Sequence, residues 1–525
     1  MNLNIVENLR NELPWKEFID TMVDQKFQVS HSLTTNHKSI LNSGRLMLVN
    51  NPIGSGTLRD PSLLSLQPFI VFRPINEDQL RKILTQSQKF KIPITFASGK
   101  TGLSGGFANF GILVDLENMH ANSKPIVLNL SQNQVYTEQS VLVSDLITIV
   151  HFHSKGKKIF PVQPASALKL PVRVGGLIAS NASGITSGKL GPTNDWIINL
   201  RVMLPNGNII EIDRNESLYN KIVGGNGFYG VVLSANFKLY EPEVNFERAI
   251  IFGGDLSLAF NGLQKVLDAK VFPLVSEFVT SPIKLPGKFG NLKPSKKQSG
   301  KKQNVNWAVL LKGKKEIVSE FIEIMLKECI CNWLKINEEE YQNYMQERSS
   351  FAILVQTSED DTNHIAFPGF EDILSHPKYL PDIIDCINAI FTKNGFHKVI
   401  FGYGHINFRK GMGLLLHMRL PVPIDYFYRE QSENLIQVCE TVYEVIITLK
   451  NKFRIKYKAE HSSGPFDIWL NSNFRNTLEK DINQGFAFKN PHLMIYNKLK
   501  EEINLKSSKN YERELFVSSM ISYLR

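Results

Sequence analysis

ASGKTGLSGGF, residues 97–107, is the stretch that decides the fold of this chain. Its four glycines lie between two predicted strands, IPITF (92–96) and GILVDL (111–116). Glycine lacks a Cβ, so its backbone can take positive φ angles and approach a ligand closely. Successive free N–H groups in such a loop form a concave nest for phosphate oxygens. The stretch therefore predicts a phosphate-binding loop, and a tight turn in a sheet is the alternative for any one glycine tract.

Two familiar nucleotide-binding motifs do not fit this loop. Gly99-Lys100-Thr101 resembles the end of a P-loop, but Ile94 stands where that motif requires a glycine. A GxGxxG motif would open a helix, whereas here a strand follows the glycines. The prediction of a phosphate site therefore depends on the elements around the loop.

The residues before the loop predict a strand and a helix. PFIVFRP (68–74) is typical of a short strand that ends at its second proline. NEDQLRKILTQSQKF (76–90) has helical periodicity with its apolar residues on one face, and Asn76 is suited to cap it. Strand, helix, strand, glycine loop and strand together form an α/β unit.

Two further glycine tracts follow along the chain. They are VGGLIASNASGITSGKLGPTND (174–195) and VGGNGFYGVV (223–232). Between them, PNGN (205–208) predicts a tight hairpin between two strands. Small residues throughout the longer tract would let an extended ligand lie against the backbone.

The order of these tracts resembles the flavin-binding domain shared by vanillyl-alcohol oxidase, p-cresol methylhydroxylase and the D-lactate and glycolate dehydrogenases. SGKTGLSGG resembles the family's pyrophosphate loop, FPVQPAS (160–166) the segment before the flavin-lining tract, and GGNGFYGVV the closing turn. The resemblance is closest to the D-lactate, glycolate and D-2-hydroxyglutarate dehydrogenases. It implies an α+β fold in which a two-subdomain FAD-binding domain of the p-cresol methylhydroxylase (PCMH) type is joined to an α+β cap domain that holds the substrate.

With this resemblance we divide the chain into four parts. They are an N-terminal helical and loop segment, the FAD-binding domain, the cap domain and a C-terminal segment that packs back near the flavin, at residues 1–65, 66–243, 246–455 and 456–525.

The resemblance implies non-covalent FAD, because the first loop carries Lys100 and no histidine to which the flavin could be attached. The residues that it implies for cofactor binding are Gly99, Lys100, Thr101, Gly102, Leu103, Ser104, Gly105, Gly176, Asn181, Gly184 and Val232. In such enzymes the protein orients the cofactor, and the isoalloxazine ring accepts a hydride at N5.

The resemblance also implies a second site, with one departure from the family's pattern. The hydroxy-acid dehydrogenases carry a GHxGDGNxH motif and a later Glu-His pair. Here His405 in GYGHINFRKGMGLLLHMRLP (402–421) matches the first histidine, and Glu460 and His461 match the pair. Met412 stands at the position of the second histidine, the next histidine is His417, and the acidic core of the motif is absent.

These residues predict the catalytic and metal sites, with His461, Glu460, His405 and Arg348 as the catalytic set. His461 would take the hydroxyl proton, a task that suits an imidazole whose usual pKa lies near neutrality. His405, His417 and Glu460 would hold a divalent metal such as zinc. Without metal, Arg348, Arg409 or Lys410 would hold the substrate carboxylate through charge-assisted hydrogen bonds. A purely structural role for His405 stays open.

The bulk composition is that expected of a soluble globular protein. Of 525 residues, 42% are apolar and 21% charged, and no apolar run has the length of about 18 residues that a membrane span needs. Four cysteines without a CxxC pair do not form a disulfide scaffold, and the N-terminus lacks an apolar signal core. We expect a cytoplasmic protein without a nucleic-acid partner.

The net charge of +10 is concentrated in one stretch, KLPGKFGNLKPSKKQSGKK (284–302), which has seven lysines and no acid. Such a loop would be attracted to anionic lipid at the inner face of a membrane, and a solvated surface loop is the alternative. Membrane contact would favour a quinone as the electron acceptor, which the sequence does not identify.

We therefore expect an FAD-dependent dehydrogenase or oxidase of a D-2-hydroxy acid. Two alternatives remain. A flavin-fold transferase of the alkyl-dihydroxyacetonephosphate synthase type would also lack the dehydrogenase metal motif, and a degenerate FAD-binding protein would have lost the reaction.

Overall fold

The computed structural model describes most of the chain. The described residues are 5–22, 27–31, 47–48, 66, 68–102, 105–119, 124–242, 245–280, 305–349, 364–367, 373–396, 400–407, 413–423, 426, 432–455, 465–502 and 510–524. Within them the chain forms three sheets with helices on their faces, which confirms the predicted α+β class. In this part of the chain no helix combines the length and apolar character needed to cross a membrane.

The first sheet belongs to the strand–helix–strand unit around the first glycine tract. Its strands are β1 (Gln28–His31), β2 (Met47–Leu48), β3 (Ile70–Arg73), β4 (Ile94–Ala97) and β5 (Ile112–Asp115), in the order β2-β1-β3-β5-β4. Helices α1 (Ile5–Asn11), α2 (Trp15–Met22) and α3 (Glu77–Phe90) accompany it. The predicted cap is confirmed, since the Asn76 side chain accepts a hydrogen bond of 2.9 Å from the Gln79 N–H.

The N-terminal segment contributes strands that its sequence did not predict. β1 pairs antiparallel with β3, and β2 pairs parallel with β1. Both are short strands without clear alternation of apolar and polar residues, so β1 takes its position from pairing with β3, and β2 takes its position from pairing with β1.

The second sheet lies in the rest of the predicted FAD-binding domain. Its strands are β6 (Ile126–Asn129), β7 (Gln134–Glu138), β8 (Ile197–Met203), β9 (Ile209–Asp213) and β10 (Val231–Lys238), in the order β6-β7-β10-β8-β9. Four helices connect or flank these strands, namely α4 (Val143–His153), α5 (Val174–Ala179), α6 (Ser187–Leu190) and α7 (Tyr219–Ile222). The predicted hairpin is confirmed, because β8 and β9 pair antiparallel around Gly207, whose φ is +82°.

The cap contains the third and largest sheet. Its strands are β11 (Phe246–Gly253), β12 (Val275–Thr280), β13 (Trp307–Lys314), β14 (Cys331–Lys335), β15 (His364–Phe367), β16 (Ile373–Ser375), β17 (Ile400–Asn407) and β18 (Gly413–Pro423). The order is β14-β11-β13-β12-β17-β18-β15, and β16 also pairs with β18. Its helices are α8 (Leu256–Asp268), α9 (Lys315–Glu328), α10 (Glu338–Arg348), α11 (Leu380–Lys393) and α12 (Ser432–Phe453).

Four helices form the C-terminal part of the described chain. They are α13 (Pro465–Leu470), α14 (Ser472–Asn483), α15 (Pro491–Glu502) and α16 (Tyr511–Leu524). Buried residues of these helices share one apolar core with the second sheet and the cap sheet. A separate core lies between the first sheet and helices α2 and α3. The domain boundaries at 65, 243 and 455 stay predictions.

Candidate functional site

A deep cleft lies where the glycine tracts meet. Its empty volume is about 1300 Å³, part of which is open to solvent, and residues of all three tracts line it. The first tract follows the carboxyl end of β4, and the second begins at α5, which packs against β10. Loops at the carboxyl ends of parallel strands are the usual place for ligands in α/β units.

The glycines of the first tract serve two different purposes. A Cβ on Gly99 would lie 2.0 Å from the Pro171 carbonyl oxygen, so this glycine allows two backbone segments to touch. A Cβ on Gly102 would meet nothing within 4 Å, because Gly102 faces the cleft. Lys100 between them has a φ of +55°, a left-handed conformation that bends the loop.

The glycines of the second tract also include one that faces the cleft and one that packs on backbone. Gly176 faces the cleft, and a Cβ there would also meet nothing within 4 Å. A Cβ on Gly184 would lie 2.4 Å from the Gln163 backbone. The open space beside Gly102 and Gly176 is thus a cradle without side chains. It fits a large planar or phosphorylated group that lies against backbone.

The third tract is bound to the second through backbone hydrogen bonds. The Gly224 N–H donates to the Ile178 carbonyl at 3.1 Å, and the Asn226 N–H donates to the Ala179 carbonyl at 2.9 Å. Asn226 and Gly227 line the cleft, and both have positive φ angles. These hydrogen bonds join the second and third tracts into one side of the cleft.

Charged side chains at the cleft suit an anionic ligand. Lys100 Nζ lies 2.8 Å from Asp115 Oδ2, and Arg73 Nε lies 3.5 Å from the same oxygen. Arg173 Nη2 lies 2.8 Å from Glu117 Oε1. Lys100 and Arg173 line the cleft. Lys100 and Arg173 are therefore the cations of this group that an anionic ligand in the cleft would meet, and each is paired with a carboxylate.

The predicted cofactor residues occupy different positions. Gly99, Lys100, Thr101, Gly102, Gly176 and Val232 line the cleft. Gly184 packs on the Gln163 backbone, and the Asn181 side chain accepts a hydrogen bond of 2.9 Å from the Asn194 N–H. Gly105 has a φ of +68° and accepts the Ala108 N–H in a turn. Leu103 and Ser104 lie outside the described residues.

A second polar centre, which we call the cap cluster, consists of Glu277, Arg348, His405, His417 and Ser187. The first four are buried side chains of the cap. Arg348 Nε donates to Glu277 Oε2 at 2.7 Å, and His405 Nδ1 lies 3.3 Å from Glu277 Oε1. His405 Nε2 lies 3.2 Å from Ser187 Oγ in the second glycine tract. The rings of His405 and His417 are 6.5 Å apart between centroids.

The carboxylate of Glu277 is ionised in this cluster. Burial acts to raise its pKa, but the charge of Arg348 and the contact with His405 outweigh burial and lower that pKa to about 2. The cap cluster therefore contains an ion pair between Glu277 and Arg348, and the His405 imidazole contacts the Glu277 carboxylate.

The predicted FAD-binding domain and the predicted cap touch at this cluster. A Cβ on Gly188 would lie 2.1 Å from the Ile406 carbonyl oxygen, so helix α6 of the second tract lies directly against β17. Ser187, the preceding residue, makes the contact with His405. Part of the tract that we expected to line the flavin thus lies against the cap.

The remaining predicted site residues lie outside the described residues. These are Glu460 and His461, together with Arg409 and Lys410. Among the residues that the structure describes, no group of three or more His, Cys, Asp and Glu side chains is arranged to hold a metal ion.

Arg173, Ser187 and Glu277 are among the residues of these two sites that sequence reasoning missed. Arg173 immediately precedes the second glycine pair, and its position was a usable signal. Ser187 stood inside a tract that we assigned to the cofactor. Glu277 lies 71 residues before Arg348 in a strand that looked apolar, and no local pattern distinguished it.

Comparison with known proteins agrees with the cleft. A family model for the FAD binding domain matches residues 68–213. Among solved structures, alkyldihydroxyacetonephosphate synthase covers 81% of this chain and 76% of its own at 15% identity, with a TM-score of 0.57. Physcomitrella patens BBE-like 1 covers 90% and 98% at 12% identity, with a TM-score of 0.58. At such identities these structures support the fold alone.

Curated relatives match less than half of the chain. The glycolate oxidase subunit GlcD of Bacillus subtilis is 27% identical in an alignment of 226 positions that covers 41% of this chain and 46% of that protein. A D-lactate dehydrogenase of Archaeoglobus fulgidus is 26% identical over 40% of this chain and 47% of its own. A D-2-hydroxyglutarate dehydrogenase of Xanthomonas citri is 25% identical over 33% and 37%. The chain thus spans less than half the length of each of these relatives.

Proposed function

We propose that this chain, which contains a FAD-binding domain of the PCMH type, is an oxidoreductase that oxidises a D-2-hydroxy acid of the lactate, glycolate or 2-hydroxyglutarate kind. One observation carries the proposal. The cap cluster, with its buried Arg348 and His405, contacts the second glycine tract at Ser187. A guanidinium and an imidazole therefore lie at the junction of the predicted cofactor domain and the predicted cap. The relatives named for these substrates support the substrate class.

Different residues of the chain would have different roles in this reaction. FAD, when bound, supplies the hydride acceptor at its N5 atom. Arg348 would bind the substrate carboxylate through charge-assisted hydrogen bonds, and Glu277 keeps this guanidinium in place. His461, or His405 on the cap side, would accept the hydroxyl proton.

A divalent metal such as zinc stays a prediction, and no step of this proposal depends on it. His405 and His417 are near each other, and Glu460 would have to complete the set. Metal analysis of the purified holoprotein, with a His417→Gln variant as comparison, tests it. Stoichiometric zinc that the variant loses would support the metal site, and metal-free protein with full turnover would refute it.

Anaerobic reduction of the flavin tests the proposed reaction. The holoprotein is mixed with the D and L forms of lactate and 2-hydroxyglutarate, and with glycolate. We expect loss of the oxidised-flavin band, at about 450 nm for the cofactor itself, with D forms faster than L forms. A yellow protein that none of these acids bleaches would refute the proposal.

The same experiment separates the two alternatives. A transferase of the alkyl-dihydroxyacetonephosphate synthase type would exchange the acyl group of an acylated dihydroxyacetone phosphate for a fatty alcohol without bleaching its flavin. A degenerate FAD-binding protein would show neither bleaching of the flavin nor a transferase product. A transferase product in the absence of bleaching would therefore replace the dehydrogenase proposal.

A quinone at an anionic membrane is the electron acceptor that we propose. The seven lysines of residues 284–302, which lie outside the described residues, support it. Sedimentation with vesicles of anionic lipid, compared with neutral vesicles and with a variant whose seven lysines are glutamines, tests the membrane contact. Protein that stays in the supernatant with both vesicles would refute it.

A further inference from the structure

A short segment of the C-terminal part, between α14 and α15, contacts the first sheet and the third glycine tract. The Phe488 N–H donates to the Phe228 carbonyl in the third tract at 2.9 Å. The Lys489 carbonyl accepts the Ile94 N–H of β4 at 3.2 Å. Since β4 is an edge strand of the first sheet, the segment is bound to that edge and to the third tract at the same time.

Phe488 also belongs to the apolar core of the first sheet. Its side chain is 2% exposed and packs in the core between that sheet and helices α2 and α3. The C-terminal helices instead place residues such as Trp469 and Leu493 in the core that they share with the cap sheet. The Phe488 ring packs on the Phe96 ring of β4, with centroids 5.2 Å apart and planes tilted by 59°. Such a separation is usual for a favourable aromatic pair.

The third glycine tract holds Phe96 on a second side. A Cβ on Gly227 would lie 2.9 Å from Phe96 Cδ2, so the Gly227 backbone lies directly against the ring. Phe96 is half-buried, and both residues line the cleft. The Phe96 ring therefore has two close neighbours and still contributes surface to the cleft.

The position of Phe96 favours one of the two ring systems of FAD. An aromatic side chain that lines a ligand cleft suits a planar ring, and FAD has an isoalloxazine and an adenine. In the proposed reaction the isoalloxazine must lie near the cap, which meets the second tract at Ser187. Among the described residues, the core against which Phe96 packs contains no residue of the predicted cap. The adenine is therefore the ring that Phe96 would meet.

We propose that Phe96 binds the adenine of FAD by ring contact, and that Phe488 is a positioning residue that holds the Phe96 ring in place. This assignment rests on the proposed function, because it requires the isoalloxazine to lie at the cap. Nothing in the sequence near either residue points to the pair, since Phe96 and Phe488 lie in distant parts of the chain.

A ring that is held in advance binds a ligand better than a mobile ring. A side chain that becomes fixed only when the ligand binds loses rotamer freedom, and this loss lowers the affinity. Phe488 and Gly227 fix the Phe96 ring before a ligand arrives. Removal of Phe488 should therefore lower the affinity for adenine-containing ligands, although Phe488 does not line the cleft.

Ligand affinities of the full-length apoprotein test the proposal. Apoprotein carrying Phe488→Ala is titrated with FAD, with ADP, which has the adenine without the flavin, and with FMN, which has the flavin without the adenine. We expect the affinities for FAD and ADP to fall together by about tenfold, equivalent to about 1.4 kcal/mol. This effect is of the size that is usual for a base stacked on an aromatic side chain. The affinity for FMN should stay within about twofold of wild type.

Two further variants separate positioning from loss of packing. Phe27→Ala makes the same change in the same core, where Phe27 packs on Phe72 with centroids 5.4 Å apart. It should lower the melting temperature as Phe488→Ala does and leave all three affinities unchanged. Phe488→Leu, which fills much of the space beside the Phe96 ring, should recover most of the ADP affinity.

The outcomes decide the proposal in either direction. Equal loss of ADP and FMN affinity in Phe488→Ala, or ADP affinity like that of wild type, would overturn it. Loss of FAD and FMN affinity alone would overturn it as well, because the isoalloxazine would then be the ring at Phe96. If Phe488→Ala does not fold, Phe96→Leu is titrated in its place, and unchanged ADP affinity there would also overturn the proposal. No hydroxy acid is present in these titrations, so a protein that oxidises none of these acids can still meet the expectation.

Discussion

The cleft and the cap cluster are built by opposite means. The cleft consists largely of backbone: three glycine tracts, each continuous in sequence, whose open positions at Gly102 and Gly176 leave room for a ligand. The cap cluster consists of side chains that come from distant parts of the chain, with Glu277 and Arg348 separated by 71 residues. Backbone sites depend on where side chains are missing, whereas the cluster depends on which charges are paired.

This difference implies different responses to mutation. The cleft should lose its ligand when a side chain enters it, while the fold survives. The cap cluster should lose stability when one charge is removed, because the partner stays buried without compensation. Four predictions follow this contrast, from the largest expected effect to the smallest.

Removal of the Glu277 carboxylate should have the largest effect. In Glu277→Ala the guanidinium of Arg348 stays buried without its partner, which should cost about 3–5 kcal/mol of unfolding free energy. Denaturant unfolding measures the change. Glu241→Ala, which breaks an exposed pair with Lys158, is the control and should show no measurable change. Wild-type stability in Glu277→Ala would mean that the pair is not formed.

Acid should lower the free energy of unfolding through the buried imidazole of His492. The pKa of His492 is lowered from 6.5 to about 4, so the unfolded chain binds the proton more readily between these values. The contribution of His492 is present above pH 6.5 and is lost as the pH falls to about 4, by up to about 3 kcal/mol. The pH dependence of unfolding, compared with His492→Gln, measures this term. Parallel curves for the two proteins would contradict it.

Filling the cradle should remove the ligand and leave the fold intact. Gly176→Leu places a side chain in the open space of the second tract. We expect FAD affinity to fall about 10- to 100-fold, as for an overpacked site, with an unchanged circular dichroism spectrum. Gly184→Ala is the matched comparison, since its Cβ would meet the Gln163 backbone and should reduce stability instead. Full flavin content in Gly176→Leu would contradict the cradle.

The junction at Ser187 should give the smallest effect. Ser187→Ala removes the hydroxyl that contacts His405 and should cost about 1 kcal/mol of stability, as is usual for one hydrogen bond. FAD affinity should not change, whereas flavin reduction by substrate should slow. The control is Ser234→Ala, a buried serine in β10. Identical reduction rates in both variants would show that this contact has no part in the reaction.

Much of the cofactor site was predictable because its information is local. The helix from Glu77 to Phe90 with its Asn76 cap, the strands on either side of the first tract and the PNGN hairpin all follow from residues close together in sequence. Which glycines face the ligand was not predictable. Gly176 and Gly184 look alike in one tract, and only the approach of the Gln163 backbone separates them.

The sequence by itself determined the cofactor domain. A backbone that must approach a ligand closely needs glycine at particular positions, and these glycines can be recognised in the sequence. The tertiary structure alone decided that Glu277 joins Arg348 and His405, and that His492 meets Tyr523. Those contacts arise when sheets and helices bring distant residues together. Their energies depend on burial and charge pairing, which no short stretch of sequence encodes.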